Sequence, residues 1–453
     1  MGLKKNDLIE LEITACAMDG SGIGRHEGLA VFVPGAAAGD TVSAHVLSVK
    51  SNRAYAKIDK ILTPSPDRIE ADCPVYARCG GCAFRHIRYE AELAVKRDHI
   101  RQAFKRIGKI DVEPEPVDSP SGPDRYRNKA MYALRQEAGA LKIGFYAPRS
   151  HRVADCRDCL LQPADFKAIL DVFAGWMAAN AVTVYDEATR GGLMRGIFIR
   201  RAQATGETMA CAVVNGKGIP HADRLIAALL DAAPGVASVA VNLNTRDTNV
   251  VLGEKTVILY GKPAITDELC GLKFVISPAS FYQVNHAGAS RLIERAREYA
   301  GLSGAETVLD LYCGAGAIGL AMAASAKEVI GVETVAAAVR DARENAALNG
   351  IANARFLCAD AAEAAARLKS EGVSSDVIIL DPPRKGCEPA VLQTAADMSP
   401  ERIVYVSCDP ATLARDCAVL DAYGYRVQKV SPVDMFPRTG HVECVVLMSK
   451  VQK

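Results

Sequence analysis

The chain has almost no net charge: 54 Lys and Arg stand against 53 Asp and Glu, leaving +1 with His neutral. That balance gives no whole-chain argument for a nucleic-acid partner. Long apolar runs are missing as well. The longest uninterrupted small-apolar stretch, GAIGLAMAASA at 316–326, is too short to span a bilayer, so no membrane partner is expected. The opening MGLKKNDLIELEI lacks the apolar centre of a secretory signal, and Asn6 stands where the myristoylation pattern needs Ser or Thr. A cytoplasmic protein is the expectation, with a monomer as the simplest assembly. Internal repeats and low-complexity segments are also absent. What is present is ordinary for a globular chain: 453 residues, 49% apolar and 24% charged, enough for two or three cores.

Residues 1–62 alternate as short strands between Gly and Asp turns (ITACAMDGSGIGR, GLAVFVPG, DTVSAHVLSV, AYAKIDKIL), which predicts a small barrel of the oligonucleotide-binding kind. PSPDRIEADCP at 64–74 breaks the pattern as a linker. Residues 63–270 mix strands such as MRGIFIRRA and ETMACAVVN with helices such as ADFKAILDVFAGWMAAN, an α+β middle domain. From 271 to 453 strand and helix alternate through TVLDLY, EVIGVE, DVIILD and RIVYVS, which predicts a mainly parallel, doubly wound α/β sheet.

Charge is unevenly spread. Between Arg78 and Lys109 nine Lys and Arg face Glu90, Glu92 and Asp98. Such a stretch is either a solvated helix face or one turned to phosphates. Lys50, Arg53, Lys57 and Lys60 on the barrel, Arg85, Arg88, Lys96, Arg97 and Arg101 after it, and Arg125, Arg127 and Lys129 in RYRNKA trace one candidate RNA track.

The C-terminal motifs carry the chemistry. Gly314, Gly316 and Gly319 spell G-x-G-x-x-G between a strand and a helix, and Glu333 ends the next strand, where a carboxylate can take both ribose hydroxyls. That pair suits NAD and S-adenosylmethionine alike. Asp310 and Tyr312 before the turn, and DPPRKG (381–386) at the end of DVIILD, favour a methyltransferase over an oxidoreductase. These strand ends converge on one crevice.

Cys408 ends the next strand and should face that crevice. Carbon 5 of uracil is too weak a nucleophile to attack a methylsulfonium unaided. A thiolate added to carbon 6 makes it an enolate-like one. The proton on carbon 5 must then leave to a base, and Glu443 in HVECVVLMS lies near the same rim. Cys313, Cys358, Cys387, Cys417 and Cys444 have no such company and read as packing. A cytosine-5 enzyme would carry a second cysteine after a Pro of the preceding motif, where Arg384 stands here.

Cys73, Cys79 and Cys82 form C-x5-C-x2-C around Gly80 and Gly81, and HRVADCRDCLL offers a fourth thiol in Cys156 or Cys159. Without export, such a group points to a metal rather than disulfides. Four thiolates suit zinc or an iron–sulfur cluster, and the wide first spacing weakens zinc.

FYQVN (281–285), DLYCGAGAIGL, DPPRKG, VSCDP and HVECVVL occur in the order and spacing of the S-adenosylmethionine-dependent RNA uracil-5-methyltransferases, which the chain resembles over nearly its whole length. The N-terminal region looks like a TRAM domain, and with the cysteine group it resembles the branch acting on large-subunit (23S) ribosomal RNA. The resemblance implies Cys408 as nucleophile and Glu443 as proton acceptor. It implies Gln283, Tyr312, Gly314, Glu333 and Asp381 as cofactor-binding positions. It also implies a 4Fe–4S cluster on Cys73, Cys79, Cys82 and Cys159, the last selected by the pattern Val153, Asp155, Cys159. One departure is Ala317, where relatives often carry Asn or Thr. Rival readings are a transfer RNA substrate, an NAD-dependent oxidoreductase, and an RNA-binding protein with a decayed site. Intact Cys408 and Glu443 speak against the last.

Overall fold

The computed structural model describes residues 2–247 and 250–451. At the N-terminus five strands close into a barrel: Leu8–Cys16, Ser21–His26, Leu29–Pro34, Thr41–Val49 and Arg53–Thr63. The strict alternation in the sequence sets its inside. Ile9, Leu11, Ile13, Val31, Val33, Val42 and Val46 point inward and are buried. The barrel is tied to the following linker through buried Asp40, which accepts from Arg68 Nε at 3.0 Å and from the Ser65 amide at 2.8 Å.

The middle of the chain forms a seven-stranded sheet from Lys129 to Gly261. Helices Phe166–Ala179 and Ala222–Ala232 cover one face with Phe166, Ile169, Phe173, Leu225 and Leu229. The other face, through Phe198, Met209, Cys211 and Val213, shares a core with the C-terminal domain. A sheet so apolar on both sides must be covered on both.

The C-terminal sheet runs in the order Ala354–Cys358, Glu328–Glu333, Thr307–Leu311, Val377–Leu380, Arg402–Ser407, Glu443–Lys450, Tyr425–Val433. The first five strands are parallel; Glu443–Lys450 is antiparallel to both neighbours. Chain order reverses around Thr307–Leu311, which is buried along its whole length. In an open α/β sheet the crevice at such a reversal is where ligands bind.

Helix Tyr89–Ala103 lies at 63–270 by chain order but packs elsewhere. Its stripe of Ile100, Ala103 and the following Phe104 joins Leu413, Ala414 and Cys417 in the core under the C-terminal sheet. The same helix carries a buried lysine. Lys96 Nζ, fully enclosed, is 2.7 Å from Glu92 Oε1 and 2.8 Å from Asp434 Oδ1. Tyr89 donates to Asp434 Oδ2 at 2.8 Å, and the Arg438 amide donates to Glu92 Oε1 at 2.7 Å. The loop 434–440, which leads into Glu443, is therefore pinned to a helix more than 300 residues earlier in the chain.

Removing one partner of a buried, satisfied ion pair strands the other charge. Lys96→Met is expected to destabilise the protein by about 3–5 kcal/mol in urea denaturation. Arg88→Ala, which removes a solvent-exposed pair with Asp67, should leave the midpoint unmoved.

Candidate active site

The crevice is built from strand ends. Thr307–Leu311 stops at Tyr312, whose φ of +70° turns the chain sharply, and Gly314 and Gly316 follow at +55° and +85°. A positive φ in a tyrosine costs on the order of 1–3 kcal/mol. The Tyr312 side chain packs with the core under the C-terminal sheet. Gly319 is needed for a different reason: a Cβ there would lie 2.9 Å from Asp310 Oδ2, which accepts the Gly319 amide at 3.0 Å. Glu333 accepts from the amides of Gly314 (3.2 Å) and Val335 (2.8 Å), so it stands over the glycine loop. Asp310 Oδ1 is buried with no hydrogen-bond partner. A loop of backbone amides, a strand-end carboxylate and an unpaired buried oxygen fit a nucleoside cofactor.

Cys408 and Glu443 meet because the last strand is antiparallel. Ser407 pairs with Cys444, so one residue further Cys408 stands opposite Glu443. Glu443 is 7% exposed, and Cys408 is half-buried. Helix Pro410–Ala422 begins immediately after Cys408, capped by Asp409, which accepts from the amides of Ala411 and Thr412 at 2.9 and 3.0 Å.

Three carboxyls here, Asp310, Asp381 and Glu443, are held toward their neutral forms. Burial pushes Glu443 up to about 8, with Asp381 adding repulsion and Arg384 opposing it. Desolvation raises Asp381 to about 7. Asp310 rises to about 8 by burial and then by Asp381. Burial also lifts the Cys408 thiol to about 11, helped by Glu443 and countered by Arg384. Three carboxyls and a thiol share one low-dielectric crevice in which each new negative charge penalises the others.

The DPPRKG loop is braced from behind. Asp416 accepts from Tyr405 Oη at 2.7 Å, from the Cys387 amide at 2.8 Å and from Arg415 Nε at 2.7 Å. In FYQVN, Asn285 caps helix His286–Ala300 through the Gly288 amide (3.0 Å). Its Nδ2 reaches Ser121 Oγ (2.9 Å) and the Met435 carbonyl (3.2 Å). Gln283 is half-buried beside it, its backbone carbonyl accepting from Asn128 Nδ2 at 3.1 Å, and Phe281 is 76% exposed.

The five distant cysteines also come together. Cys73, Cys79, Cys82, Cys156 and Cys159 line one cleft of about 1130 Å³ with Phe281 and His441. The neighbouring Cys156 thiol holds Cys73 and Cys159 below the ordinary thiol range. Burial pushes Cys82 up to about 12. Among the described residues, no group of three or more His, Cys, Asp and Glu side chains is arranged to hold a metal ion. Of the remaining cysteines, Cys313, Cys387, Cys417 and Cys444 are buried and Cys358 is exposed.

Several cations of the expected RNA track are taken up by partners within the protein. Arg85 is buried between Asp72 and Asp124, Lys96 is enclosed by Glu92 and Asp434, and Arg97 donates to the Pro114 carbonyl. Arg88 pairs with Asp67 and Arg101 with Asp98, while Arg125 clamps Asp158 and the carbonyls of Cys159 and Gln162. Charge counting cannot see such partners. Lys96 had one readable sign, the i,i+4 spacing from Glu92. Arg384, Asp416 and Asp434 were missed as contributors; only the position of Arg384 inside DPPRKG hinted at a role.

Fold and crevice together define a class of protein: an S-adenosylmethionine-dependent methyltransferase with a Rossmann-like sheet. Residues 240–451 match the family described as tRNA (Uracil-5-)-methyltransferase, and residues 4–58 match the TRAM domain. An RNA methyltransferase of Clostridium tetani is 42% identical over 447 residues, covering 99% of this chain and 97% of its own. One of Halalkalibacterium halodurans is 41% identical, covering 98% of each. The crystal structure of Pyrococcus abyssi tRNA (uracil-54, C5)-methyltransferase in complex with S-adenosyl-L-homocysteine superposes with a TM-score of 0.77 at 27% identity, over 97% of this chain and 100% of that one. The chain belongs to the uracil-5 RNA methyltransferase family. S-adenosylmethionine is its methyl donor and RNA its substrate.

Glu443 carries a folded-state value near 8 against an ordinary 4.5. A raised carboxyl contributes stability at low pH that is lost as pH climbs through the folded value. Glu443→Gln should therefore raise the melting temperature at ~pH 9, by a gain on the order of 2 kcal/mol, and have little effect at ~pH 4.

Proposed function

We propose that the protein transfers a methyl group to carbon 5 of a uridine in 23S ribosomal RNA through a covalent adduct with Cys408. The observation that carries this reading is the pairing of Cys408 and Glu443 across two antiparallel strand ends. Bound S-adenosylmethionine supplies an electrophilic methyl group on a cationic sulfur. Cys408 Sγ, its proton lost to solvent, adds as thiolate to carbon 6, and the electrons of the 5,6 double bond pass toward the ring carbonyl. Carbon 5 takes the methyl group. The Glu443 carboxylate then removes the proton from carbon 5, the double bond re-forms and Cys408 leaves as thiolate. Arg384 stabilises the negative forms of Cys408 and Glu443 throughout. Gln283, Tyr312, Gly314, Glu333 and Asp381 are assigned to the cofactor. A base in a helix must turn out of its stack to reach Cys408.

Cys73, Cys79, Cys82 and Cys159 are assigned to a 4Fe–4S cluster. Soft thiolate donors gathered on one wall support it, with two of them already inclined to ionise. A cluster takes one thiolate per iron, so its ligands need not surround a single point as they would for one ion. The group would order the cleft wall; methyl transfer takes nothing from it. Iron and sulfide should co-purify with anaerobically prepared protein, and Cys159→Ser should lose them while Cys156→Ser keeps them.

A second reading, transfer RNA as substrate, is favoured by the full-length likeness to the Pyrococcus abyssi enzyme. One trapping experiment tests both. Glu443→Gln protein, cofactor and RNA should accumulate a covalent band on a denaturing gel that disappears when Cys408→Ala is added. A band with ribosomal fragments supports the first reading, and one with transfer RNA alone supports the second. No band with either, despite cofactor binding, defeats the Cys408 mechanism. Steady-state turnover should rise with pH through about 8 as Glu443 ionises and release of the adduct becomes possible.

A further inference from the structure

One wall of the large cleft carries charge that methyl transfer does not use. Strands Lys129–Glu137 and Met194–Arg201 pair antiparallel, with Lys129 directly opposite Arg200. Like charges in that position destabilise a sheet. This pair is also poorly hydrated, Arg200 being 2% exposed and Lys129 half-buried. Arg127 lies two residues before Lys129 and so on the same face. Arg127, Lys129 and Arg200 all line the cleft.

None of the three has a carboxylate partner among the described residues. Arg200 Nη1 donates to the carbonyls of Ser277 and Ser280, both at 2.9 Å, and its guanidinium lies 5.5 Å from the Phe198 ring centre. Desolvation holds the Lys129 ammonium down at about 8, with repulsion from Arg200 and Arg127 added. Asp19 is the one carboxylate among the described lining residues, and its Oδ1 accepts from the Ser21 amide at 2.9 Å. Buried cations without counter-charge are costly unless something repays them. The other Arg or Lys among the described lining residues, Arg85, is paired with Asp72 and Asp124.

We propose that Arg127, Lys129 and Arg200 form an anion subsite for a backbone phosphate of the substrate RNA, next to the uridine that enters the crevice. The cleft connects this wall to Phe281 and to His441, two residues before Glu443. Cys408 and Glu443 are not among the lining residues, so in this proposal the RNA strand runs from this wall past His441 to reach them. The glycine loop and Glu333 do not line this cleft, which separates the subsite from the cofactor's own carboxylate. The subsite rests on the RNA-methyltransferase reading above and deepens it by fixing where the strand runs.

The test compares full-length wild type, Lys129→Gln, Arg127→Gln and Lys129→Arg in RNA binding across a salt series and in steady-state methylation. Melting curves and S-adenosylhomocysteine titrations confirm folded protein with an intact cofactor site. Lys129→Gln should weaken RNA binding about tenfold at low salt and cut the slope of log K against log salt by about 0.7. It should raise KM far more than it lowers kcat, and Lys129→Arg should restore the slope. A neutral methylphosphonate linkage beside the target uridine should erase the difference between wild type and Lys129→Gln. An unchanged slope and KM in Lys129→Gln and Arg127→Gln, with wild type methylating normally, overturns the subsite alone. A wild type that methylates no RNA overturns the substrate reading and the subsite with it.

Discussion

A lysine with no access to water organises this protein. Lys96 is satisfied by Glu92 on its own helix, by Asp434 and by the Phe436 carbonyl, and Arg438 returns a charge and an amide to Glu92. Two positive and two negative groups close on one another, so the cluster sums to zero in a place where an odd charge would be prohibitive. Hydrophobic packing alone would let the loop 434–440 slide, because apolar contact is not directional. Lys96 hydrogen-bonded to two carboxylates, with Arg438 3.6 Å from Glu92 and bonded to the Ile87 carbonyl, restricts the loop far more than apolar contact would. That arrangement sets the start of the last strand, and with it Glu443.

The crevice then works against its own ionisation. Asp310, Asp381 and Glu443 lie above the ordinary carboxylate range, and Cys408 is above that of a free thiol. A pocket like this is poorly suited to holding anions on its own and well suited to a cationic guest. A bound sulfonium adds positive charge beside that of Arg384 and so favours the ionised forms of these groups. Buried, mutually repelling acids are an expense for the fold, and functional sites are where such expense is usually found.

The doubly wound sheet, the barrel and the motif positions were legible because they depend on periodicity and on turn chemistry within short windows. DLYCGAG, DPPRKG and VSCDP each finish a strand, and parallel strands bring their ends to one side without further information. The antiparallel entry of the last strand was not legible. It decides that Glu443 meets Cys408 rather than the opposite rim, and only the inserted position between Arg402–Ser407 and Tyr425–Val433 reveals it. In the basic stretch at 78–109, sequence left a solvated face and a phosphate-facing one both open; Arg85, Lys96 and Arg97 are matched by Asp72, Asp124, Asp434 and a carbonyl that chain order scatters over 360 residues. Composition counts charges but not their partners. The helix at 89–103 shows the same limit: by order it precedes the middle sheet, yet its apolar stripe completes the core of the C-terminal one.

The three parts of the chain share one cavity. The barrel turn at Met18 and Asp19, the cysteine wall, the Lys129–Arg200 face and the Thr439–His441 segment all border it. The approach is close enough to constrain the sequence: a Cβ on Gly440 would lie 1.8 Å from the Met18 carbonyl oxygen. Residue 440 therefore couples the barrel to the strand that carries Glu443, since anything larger would push the two apart. A catalytic sheet of this kind offers its crevice to any nucleobase of the right shape. What narrows the choice is the ring of non-catalytic backbone around the entrance, and here that ring is held in register by a missing side chain on one side and a buried lysine on the other.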